Sequence, residues 1–499
     1  MMRFWTAIAL ILVLSAVGLT YEIAAGRVLA PYFGTSLVTW TAVIATVLAG
    51  FSLGNALGGF MAERDRRVAL RNVRAVLVST AVLAALSPTI LGLVYSFGAR
   101  GTAGMLISVL VAFFPASVLI SAPSPLLARL AVEARPGREG SSLGMVLAAG
   151  SLGAILGAVL AGFLALPFAG SVATFAACGA AALLCVPFLR ETGQGGGPRP
   201  GAEESETPSL APLLPIAALV VASAALGPVC RYESGLSCID ITRTGGAISL
   251  YSDRTHQAAE PITRAGGATD VPMDLVIPYA QWIWARMDAD LGPAPSVLFI
   301  GGGGYTLPTR LLSSRPQAHA VAVEIDPLIT EVVRQNLPQA AEMIARAGYD
   351  ATTGAPEGGT PPGRLGIVHA DGRIYLNETT RRYDAAVMDA FSSASVPAHL
   401  VTRETFARLR AIVDGPVYVN LIDAPDGPLA RGTYAILREI YPHVVAVRGP
   451  TGPNGRGNVM LAAAPTPLAG LDFLPEGYAP AQISVARPFT DDRGWVGYR

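Results

Sequence analysis

The sequence contains no lysine: all 36 of its basic residues are arginine, and they balance 36 acidic residues. A chain without lysine cannot form a Schiff base with a carbonyl substrate or with pyridoxal phosphate. Because the formal net charge is zero, bulk electrostatics do not attract nucleic acid, which we expect not to be a partner. With five histidines and no C-x-x-C or H-E-x-x-H motif, the sequence also predicts no metal site.

Cysteine is limited to four residues. Cys178 and Cys185 lie in an apolar segment, where a free thiol ordinarily packs as a small hydrophobic group. Cys230 and Cys238 flank a short polar stretch. They can form a disulfide if that stretch faces an oxidising space, or remain two free thiols, and the sequence leaves both alternatives open.

Long apolar segments dominate the first half of a chain that is 52% hydrophobic, with a mean hydropathy of +0.46. Most of them approach the roughly 20 residues that a helix needs to cross a bilayer. Arginine-rich segments at 63–74, at 128–140 and from Arg190 alternate with nearly uncharged loops, so the positive-inside rule places them in the cytoplasm. We therefore predict an all-α polytopic membrane domain over 1–190. Its predicted spans are 4–25, 38–61, 74–97, 102–127, 143–168 and 171–189.

Because of a seventh apolar segment, the sequence does not determine on which side of the membrane the second half of the chain lies. Residues 191–210 are rich in Gly, Pro, Ser and Glu, which predicts a flexible linker. The segment 211–228 follows, and it is short and contains Pro215. If it crosses the bilayer, the second half lies outside the cell; if it is re-entrant or interfacial, that half stays in the cytoplasm.

Two features of the apolar half concern helix contacts and charge. Glycines at four-residue spacing predict close contacts between membrane helices. These glycines are Gly50, Gly54, Gly58, Gly153 and Gly157. Glu22 and Arg27 lie at the end of the first span, where an acid is either functional or part of an interfacial ion pair, and we favour the ion pair.

From about Val229 the pattern becomes that of a folded α/β unit. Residues 238–253 alternate apolar and polar side chains around a Gly-Gly turn, which predicts a β-hairpin in a small β-domain over 229–270. An apparent helix near 272–288 and then alternating strands and helices predict a parallel sheet over 271–499, with its ligand beyond the carboxyl ends of the strands. The predicted strands are SVLFIG, AHAVAVEID, RLGIVHAD, YDAAVMDAF and GPVYVNLID.

Four consecutive strand ends carry a glycine turn and three carboxylates. Gly301–Gly304 follow the first strand, and Glu324, Asp371 and Asp389 follow the next three. Glycines let a backbone approach a ligand closely, a carboxylate after the second strand suits ribose hydroxyls, and one after the third suits an exocyclic amine. No G-K-[ST] follows the glycines and the G-x-G-x-x-G spacing is absent, so the pattern favours a nucleoside over a nucleotide.

The motifs VLFIGGGGYTLPTR, AVEIDP, HADGRIYL and YDAAVMDAFSSASVPAHLVTRETF occur in this order and resemble the spermidine synthase (aminopropyltransferase) family. The resemblance covers roughly residues 229–499, and it is closest to a branch in which membrane spans precede the enzyme domain and the chain ends near a motif such as PFTDD. It implies a Rossmann-like domain of the class I methyltransferase type. It also implies a transferase that uses S-adenosylmethionine or its decarboxylated form as co-substrate and releases methylthioadenosine.

The resemblance also implies roles for individual residues. Glu324 binds the ribose hydroxyls, Asp371 the adenine amine, and Asp389 is the catalytic acid–base residue. The full set of expected cofactor-binding residues is Gly301, Gly302, Gly303, Gly304, Glu324, Asp371, Gly372 and Gln257. Tyr279 is expected to bind the acceptor substrate, and His256 is a further candidate for that role, as is His399.

The acceptor half of the expected site departs from the family. Polyamine-binding members carry an aspartate in the glycine turn, where this chain has Gly304, and another at the position of Ser392. The expected acceptor is therefore an amine of a small molecule or lipid, with true spermidine formation less favoured. Alternatives are a lyase that cleaves S-adenosylmethionine itself, a methyltransferase, or a non-enzymatic transporter or sensor with a nucleoside-binding domain.

The expected location follows from the same observations. The apolar segments predict an integral protein of a bacterial-type inner membrane, in contact with lipid. S-adenosylmethionine is a cytoplasmic metabolite, so we expect the second half in the cytoplasm. By resemblance alone, a homodimer is also expected.

Overall fold

The computed structural model describes residues 4–34, 37–189, 213–225, 229–253, 255–262, 274–353, 363–390, 397–452 and 455–492. The chain divides into two compact units, Met1–Gly235 and Leu236–Arg499. The predicted linker at 191–210 lies outside the described residues.

The first unit is helical. Its helices are α1 Phe4–Phe33, α2 Leu37–Ala62, α3 Arg66–Ser96, α4 Gly101–Ser121, α5 Ser124–Glu133, α6 Glu139–Leu160, α7 Leu166–Cys185 and α8 Leu214–Ala224. Among the described residues, five helical stretches are long and apolar enough to cross a membrane. They are Phe4–Phe33, Val38–Ala62, Arg66–Ser96, Gly101–Glu133 and Glu139–Leu189.

The last of these stretches contains two of the predicted spans. Residues 143–168 and 171–189 belong to one helical stretch, which includes a π-helical turn at Ala161–Ala165. Gly170 breaks it, with φ 77° and ψ 173°, which is far from helical geometry. A residue without a Cβ adopts this positive φ readily, so the helical geometry is interrupted at the boundary that was predicted near residue 170.

The seventh segment forms a short helix. Helix α8 has 11 residues, which at 1.5 Å per residue gives about 16 Å. The hydrocarbon core of a bilayer is about 30 Å thick. The described helix is therefore too short to cross the core by itself.

The glycine stripes make close helix contacts, as predicted. A Cβ on Gly153 would lie 2.2 Å from the carbonyl oxygen of Leu12 in α1, and one on Gly157 would lie 2.2 Å from that of Ala16. Gly54 meets the carbonyl oxygen of Val118 in α4 in the same way, at 2.1 Å. Side chains larger than hydrogen would therefore force α1 away from α6 and α2 away from α4.

Replacing Gly153 by valine is expected to destabilise the first unit, because the new side chain meets the backbone of α1. Overpacking of this kind lowers the free energy of unfolding by about 1–3 kcal/mol. The matched control is Gly144→Val in the same helix, since a Cβ at Gly144 has no neighbour within 4 Å. Thermal unfolding in detergent should show a lower Tm for the first variant only, and equal Tm values would contradict the predicted contact.

The ion pair predicted between Glu22 and Arg27 does not form. Both side chains are buried, but the Oε2 atom of Glu22 has no hydrogen-bond partner within the described part of the chain. The Nε of Arg27 donates instead to the carbonyl of Ser234 at 3.2 Å. Pairs on a helix meet at spacings of three or four residues, and a spacing of five places the two side chains on different faces.

A small antiparallel sheet opens the second unit. A two-residue strand, β1 Tyr232–Glu233, precedes it in the chain, and its strands β2 Cys238–Thr244, β3 Ala247–Ser252 and β4 Thr255–Pro261 pair in sequence order. The predicted hairpin is confirmed, and Gly245 and Gly246 have the positive φ values of 62° and 78° that a tight turn requires. Cys230 and Cys238 are disulfide-bonded, whereas Cys178 and Cys185 are free.

The main sheet of the second unit has the strand order β13-β11-β12-β10-β9-β5-β6-β8-β7. Its strands are β5 Ser296–Ile300, β6 His319–Glu324, β7 Gly348–Asp350, β8 Leu365–His369, β9 Ala385–Met388, β10 Val417–Asp423, β11 His443–Arg448, β12 Gly457–Ala464 and β13 Ala479–Pro480. The helices are α9 Pro278–Asp290, α10 Thr306–Ser314, α11 Pro327–Asn336, α12 Pro338–Ala347, α13 Gly372–Glu378, α14 Arg403–Ile412 and α15 Pro428–Ile440.

The five predicted strands form a parallel sheet, and strands that were not predicted extend it at one edge. Strands β5 to β10 pair in parallel, as predicted, whereas β12 is antiparallel to both β10 and β11. Strands β11 and β12 are separated by eight residues, and such a short connection joins antiparallel strands. The parallel strands carry the site, because their carboxyl ends meet at one edge of the sheet.

Candidate active site

A cavity of about 170 Å³ lies at the carboxyl ends of the parallel strands. It is lined by residues that follow β5, β6, β8 and β9, together with residues of the small sheet. The predicted site residues in its wall are Gln257, Gly301, Gly303, Glu324, Asp371, Gly372 and Asp389. The fold thus brings together the glycine turn and the three carboxylates, which were predicted to meet because each follows the end of a strand.

The glycine turn shapes one wall through its backbone. Gly301 has a φ of 97°, and a Cβ there would lie 2.3 Å from the carbonyl oxygen of Asp389. Gly303 has a φ of 48° and open space around it. Only glycine adopts such angles routinely, so the turn keeps its shape and leaves room for a ligand.

The other two glycines of the turn face the protein. A Cβ on Gly302 would lie 3.0 Å from Glu324, and one on Gly304 would lie 2.1 Å from the Cβ of Ala258. An aspartate at Gly304 would therefore displace Ala258 of the small sheet. This geometry disfavours an acid at position 304, and the role of Gly304 in cofactor binding stays a prediction.

Glu324 is buried at the end of β6. Its Oε2 accepts a hydrogen bond from the amide of Gly303 at 3.0 Å, and its Oε1 accepts one from the amide of Asp326 at 3.0 Å. Burial raises the pKa of Glu324 to about 7, and the two amides act in the opposite direction. The carboxylate is thus fixed in orientation and keeps acceptor capacity for hydroxyl donors in the cavity.

Asp371 has two roles at the end of β8. Its Oδ1 accepts from the amide of Arg373 at 2.8 Å and caps helix α13, while the residue also lines the cavity. Its Oδ2 lies 2.9 Å from Nε2 of His399. His399, which sequence reasoning left as a weaker candidate, therefore contacts the wall of the site through Asp371.

The C-terminal PFTDD motif contacts residues at the start of α13, beside Asp371. Asp491 accepts a hydrogen bond from the hydroxyl of Thr402 at 2.7 Å. It also forms an ion pair with Arg373 at 2.8 Å. Arg373 is the second residue of α13, the helix that Asp371 caps. The motif thus holds the start of α13 from the far end of the chain.

Gln257 contributes an unpaired donor from the small sheet. It lines the cavity from β4, and its Nε2 atom is buried without a hydrogen-bond partner among the described residues. A buried amide group without a partner costs free energy, and a ligand acceptor in the cavity would remove that cost.

Asp389 is held by a chain of amides. Its Oδ1 accepts from Nδ2 of Asn420 at 2.9 Å, and Oδ1 of Asn420 accepts from Nδ2 of Asn458 at 3.0 Å. Tyr279 lies beside the carboxylate, and its hydroxyl donates to the carbonyl of Gln257 at 3.3 Å. Burial raises the pKa of Asp389 to about 6, against the lowering effect of Asn420 and Tyr279.

Three further residues that the sequence analysis named are not in the cavity wall as the structure describes it. Tyr279 is buried next to Asp389, and His256 stacks on Tyr251 with ring centroids 4.8 Å apart, outside the cavity wall. Ser392 lies outside the described residues. Sequence reasoning missed Asn420, although a polar residue inside the apolar strand VYVNLID is a signal for a functional side chain.

Comparisons with known proteins find relatives that share one name. The chain is 26% identical over 210 residues to the polyamine aminopropyltransferase of Vibrio vulnificus, an alignment that covers 40% of this chain and 59% of that protein. It is 24% identical over 439 residues to polyamine aminopropyltransferase 1 of Streptomyces coelicolor, covering 84% of this chain and 76% of that protein. The second alignment is longer than Leu236–Arg499, so it includes part of the first unit.

Among solved structures, a probable spermidine synthase from Corynebacterium glutamicum matches with a TM-score of 0.37 and 20% identity, covering 48% of this chain and 81% of that chain. No protein-family model matches the sequence. The chain spans 59% of the length of the Vibrio vulnificus protein. The chain is thus similar in sequence to proteins named polyamine aminopropyltransferases.

Proposed function

We propose that this chain is a membrane-anchored transferase of the aminopropyltransferase type, which uses decarboxylated or ordinary S-adenosylmethionine and releases methylthioadenosine. The observation that carries the proposal is the cavity whose wall contains Glu324, Asp371 and Gln257 together with a carboxylate held by a separate amide, Asp389. The names of the similar proteins support the same class of reaction.

The first three residues suit the nucleoside part of the donor. Glu324 offers a carboxylate, fixed by two backbone amides, to the ribose hydroxyls. Asp371 offers its carboxylate to the adenine amine, and the unpaired amide of Gln257 can donate to a further acceptor. The donor supplies an activated carbon next to a sulfonium, and the protein holds that carbon near Asp389.

Asp389 is the proposed base. It accepts a proton from the ammonium group of the acceptor, which frees the nitrogen lone pair. The nitrogen then forms a bond to the activated carbon, the carbon–sulfur bond breaks, and its electron pair stays on sulfur as a neutral thioether. A buried carboxylate with a pKa of about 6 is ionised at neutral pH and binds a proton more readily than an ordinary aspartate.

A lyase that acts on the donor alone is the second candidate. Glu324, Asp371 and Asp389 are the carboxylates in the described cavity wall, so Asp389 remains the single acid for an acceptor. A polyamine with two or more charges would lack a second counter-ion there. This arrangement favours an acceptor with one positive charge, or no acceptor at all.

Product identification separates these reactions. The full-length protein in detergent is incubated with each form of the donor, with and without putrescine or a monoamine, and the nucleoside product is identified by mass spectrometry. Methylthioadenosine that depends on an amine supports aminopropyl transfer, whereas its formation from the donor alone indicates a lyase. S-adenosylhomocysteine would indicate methyl transfer, and the absence of any nucleoside product would contradict the proposal.

The proposed base predicts a pH profile. Because the ionised form of Asp389 accepts the proton, kcat/KM for the acceptor at saturating donor is expected to rise with pH and to reach half of its plateau near pH 6, in place of the value near 4 of an ordinary aspartate. Asn420→Leu removes a hydrogen bond that lowers the pKa, so its midpoint is expected to move to higher pH. A midpoint near pH 4 in the original protein would contradict the assignment.

We propose a location in the inner membrane, with the second unit in the cytoplasm. The short α8 and the cytoplasmic supply of the donor support this side, while the disulfide-bonded Cys230 and Cys238 favour an oxidising space. Fusion of reporters after Arg499 decides between the sides. Fluorescent protein should be bright and alkaline phosphatase inactive, and the reverse pattern would contradict the cytoplasmic assignment.

A further inference from the structure

A second cavity, of about 300 Å³, lies inside the helical first unit and has no part in the proposed reaction. Its wall is formed by side chains of α1, α2, α4, α5 and α6. The polar residues of the wall are Ser15, Glu22, Asn55, Ser121 and Ser124. The rest of the wall is apolar, with Leu48 and Phe51 among its larger side chains.

Among the described residues, Glu22 is the one acidic or basic residue in this wall. Glu22 is buried, with 9% of its surface exposed. Its Oε2 atom has no hydrogen-bond partner in the part of the chain that the structure describes. The predicted partner, Arg27, contacts Ser234 instead. An isolated carboxylate among apolar helices is costly, and a cation bound in the adjoining cavity would offset that cost.

The neutral groups of the wall indicate which kind of cation the cavity would bind. Ser121 donates its hydroxyl proton to the carbonyl of Phe51 at 3.0 Å, so its lone pairs remain available to accept from an N–H donor in the cavity. A primary ammonium needs three acceptors at most, and Glu22 can supply one of them with full charge. The apolar remainder of the wall, including the ring of Phe51, suits a short alkyl chain, and an aromatic ring also attracts a nearby cation.

The cavity is open on the side of α2. Leu48 is 52% exposed and Asn55 is also exposed, although both line the cavity. Its volume is at the lower end of the range of sites for small ligands, about 300–1,000 Å³. From these observations we infer that the first unit binds a small primary alkylammonium ion in this cavity, with Glu22 as the counter-ion.

Calorimetric titration with butylammonium tests this inference in the full-length protein in detergent. The titrated protein carries Asp389→Asn, so that the carboxylate of the second unit cannot contribute the signal. We expect saturable binding that Glu22→Gln weakens at least tenfold. The matched control is Glu63→Gln, because Glu63 is exposed in the same unit and lies outside the cavity wall, and its affinity should be unchanged.

A second variant keeps the test decisive if Glu22→Gln fails to fold. Ala154→Phe leaves Glu22 in place and fills the cavity from α6, and it should also weaken binding at least tenfold. Equal affinity in the Glu22→Gln variant, or no binding of butylammonium, would overturn the inference. Sodium that competes at the same concentration as butylammonium would also overturn it, since the site would then take an inorganic cation. None of these outcomes depends on the reaction proposed for the second unit.

Discussion

Replacing Asp389 by asparagine is expected to lower kcat by about 10²- to 10⁴-fold, the range that a positioned acid–base group contributes. Asparagine has nearly the same shape and can still accept from Nδ2 of Asn420, so the cavity should keep its form. It cannot accept the proton of an ammonium ion at neutral pH. The measurement is the rate of methylthioadenosine release at saturating donor and at pH 8.

The matched control for this variant is Asp472→Asn, because Asp472 is exposed and lies outside the cavity wall. The control should keep the kcat of the original protein. If Asp389→Asn also keeps kcat within about threefold, the carboxylate is not the base, and the proton of the acceptor leaves by another route.

Replacing Glu324 by glutamine is expected to raise the KM for the donor by about 10- to 100-fold. A hydrogen bond to a charged group contributes roughly 1.5–3 kcal/mol, and the amide replaces a charged acceptor by a neutral one. The effect on kcat should be smaller, because the ribose lies away from the reacting carbon. For the original protein, donor affinity should weaken as the pH falls below about 7, where Glu324 becomes protonated.

Glu331→Gln is the matched control, since Glu331 lies exposed on α11, the helix that follows Glu324 in the chain. Its KM for the donor should not change. A Glu324→Gln enzyme with unchanged KM and a strongly lowered kcat would contradict nucleoside binding and place Glu324 near the reacting atoms instead.

The sequence predicted the centre of the site because parallel strands obey a simple rule. Glu324, Asp371 and Asp389 each follow an apolar run, and the carboxyl ends of neighbouring parallel strands meet at one edge. Once the runs were recognised as strands, the three carboxylates were expected in one crevice. The cavity wall contains all three.

Other parts of the site depend on contacts between distant segments. Asn420 reaches Asp389 across neighbouring strands, and Asn458 reaches Asn420 from a strand that returns antiparallel. No local pattern in GNVMLAAA signals this direction. The contact of His399 with Asp371 likewise depends on how residues 398–400 fold back towards α13.

In the helical unit, too, local sequence patterns predicted some contacts and could not predict others. Glycine spacing predicted the contact of α6 with α1, because packing at four-residue spacing is a local property of a helix. The surroundings of Glu22 could not be predicted in this way. Arg27 lies five positions further along the helix, and only the arrangement of the other helices places a cavity beside Glu22.

A calorimetric titration of the full-length protein in detergent with methylthioadenosine tests the central claim most directly, that the crevice at the strand ends binds a sulfonium nucleoside or its thioether product. The proposal predicts saturable binding to one site per chain, which Glu324→Gln weakens at least tenfold and Glu331→Gln does not. Absence of binding, or binding that Glu324→Gln leaves unchanged, would contradict the assignment of this cavity.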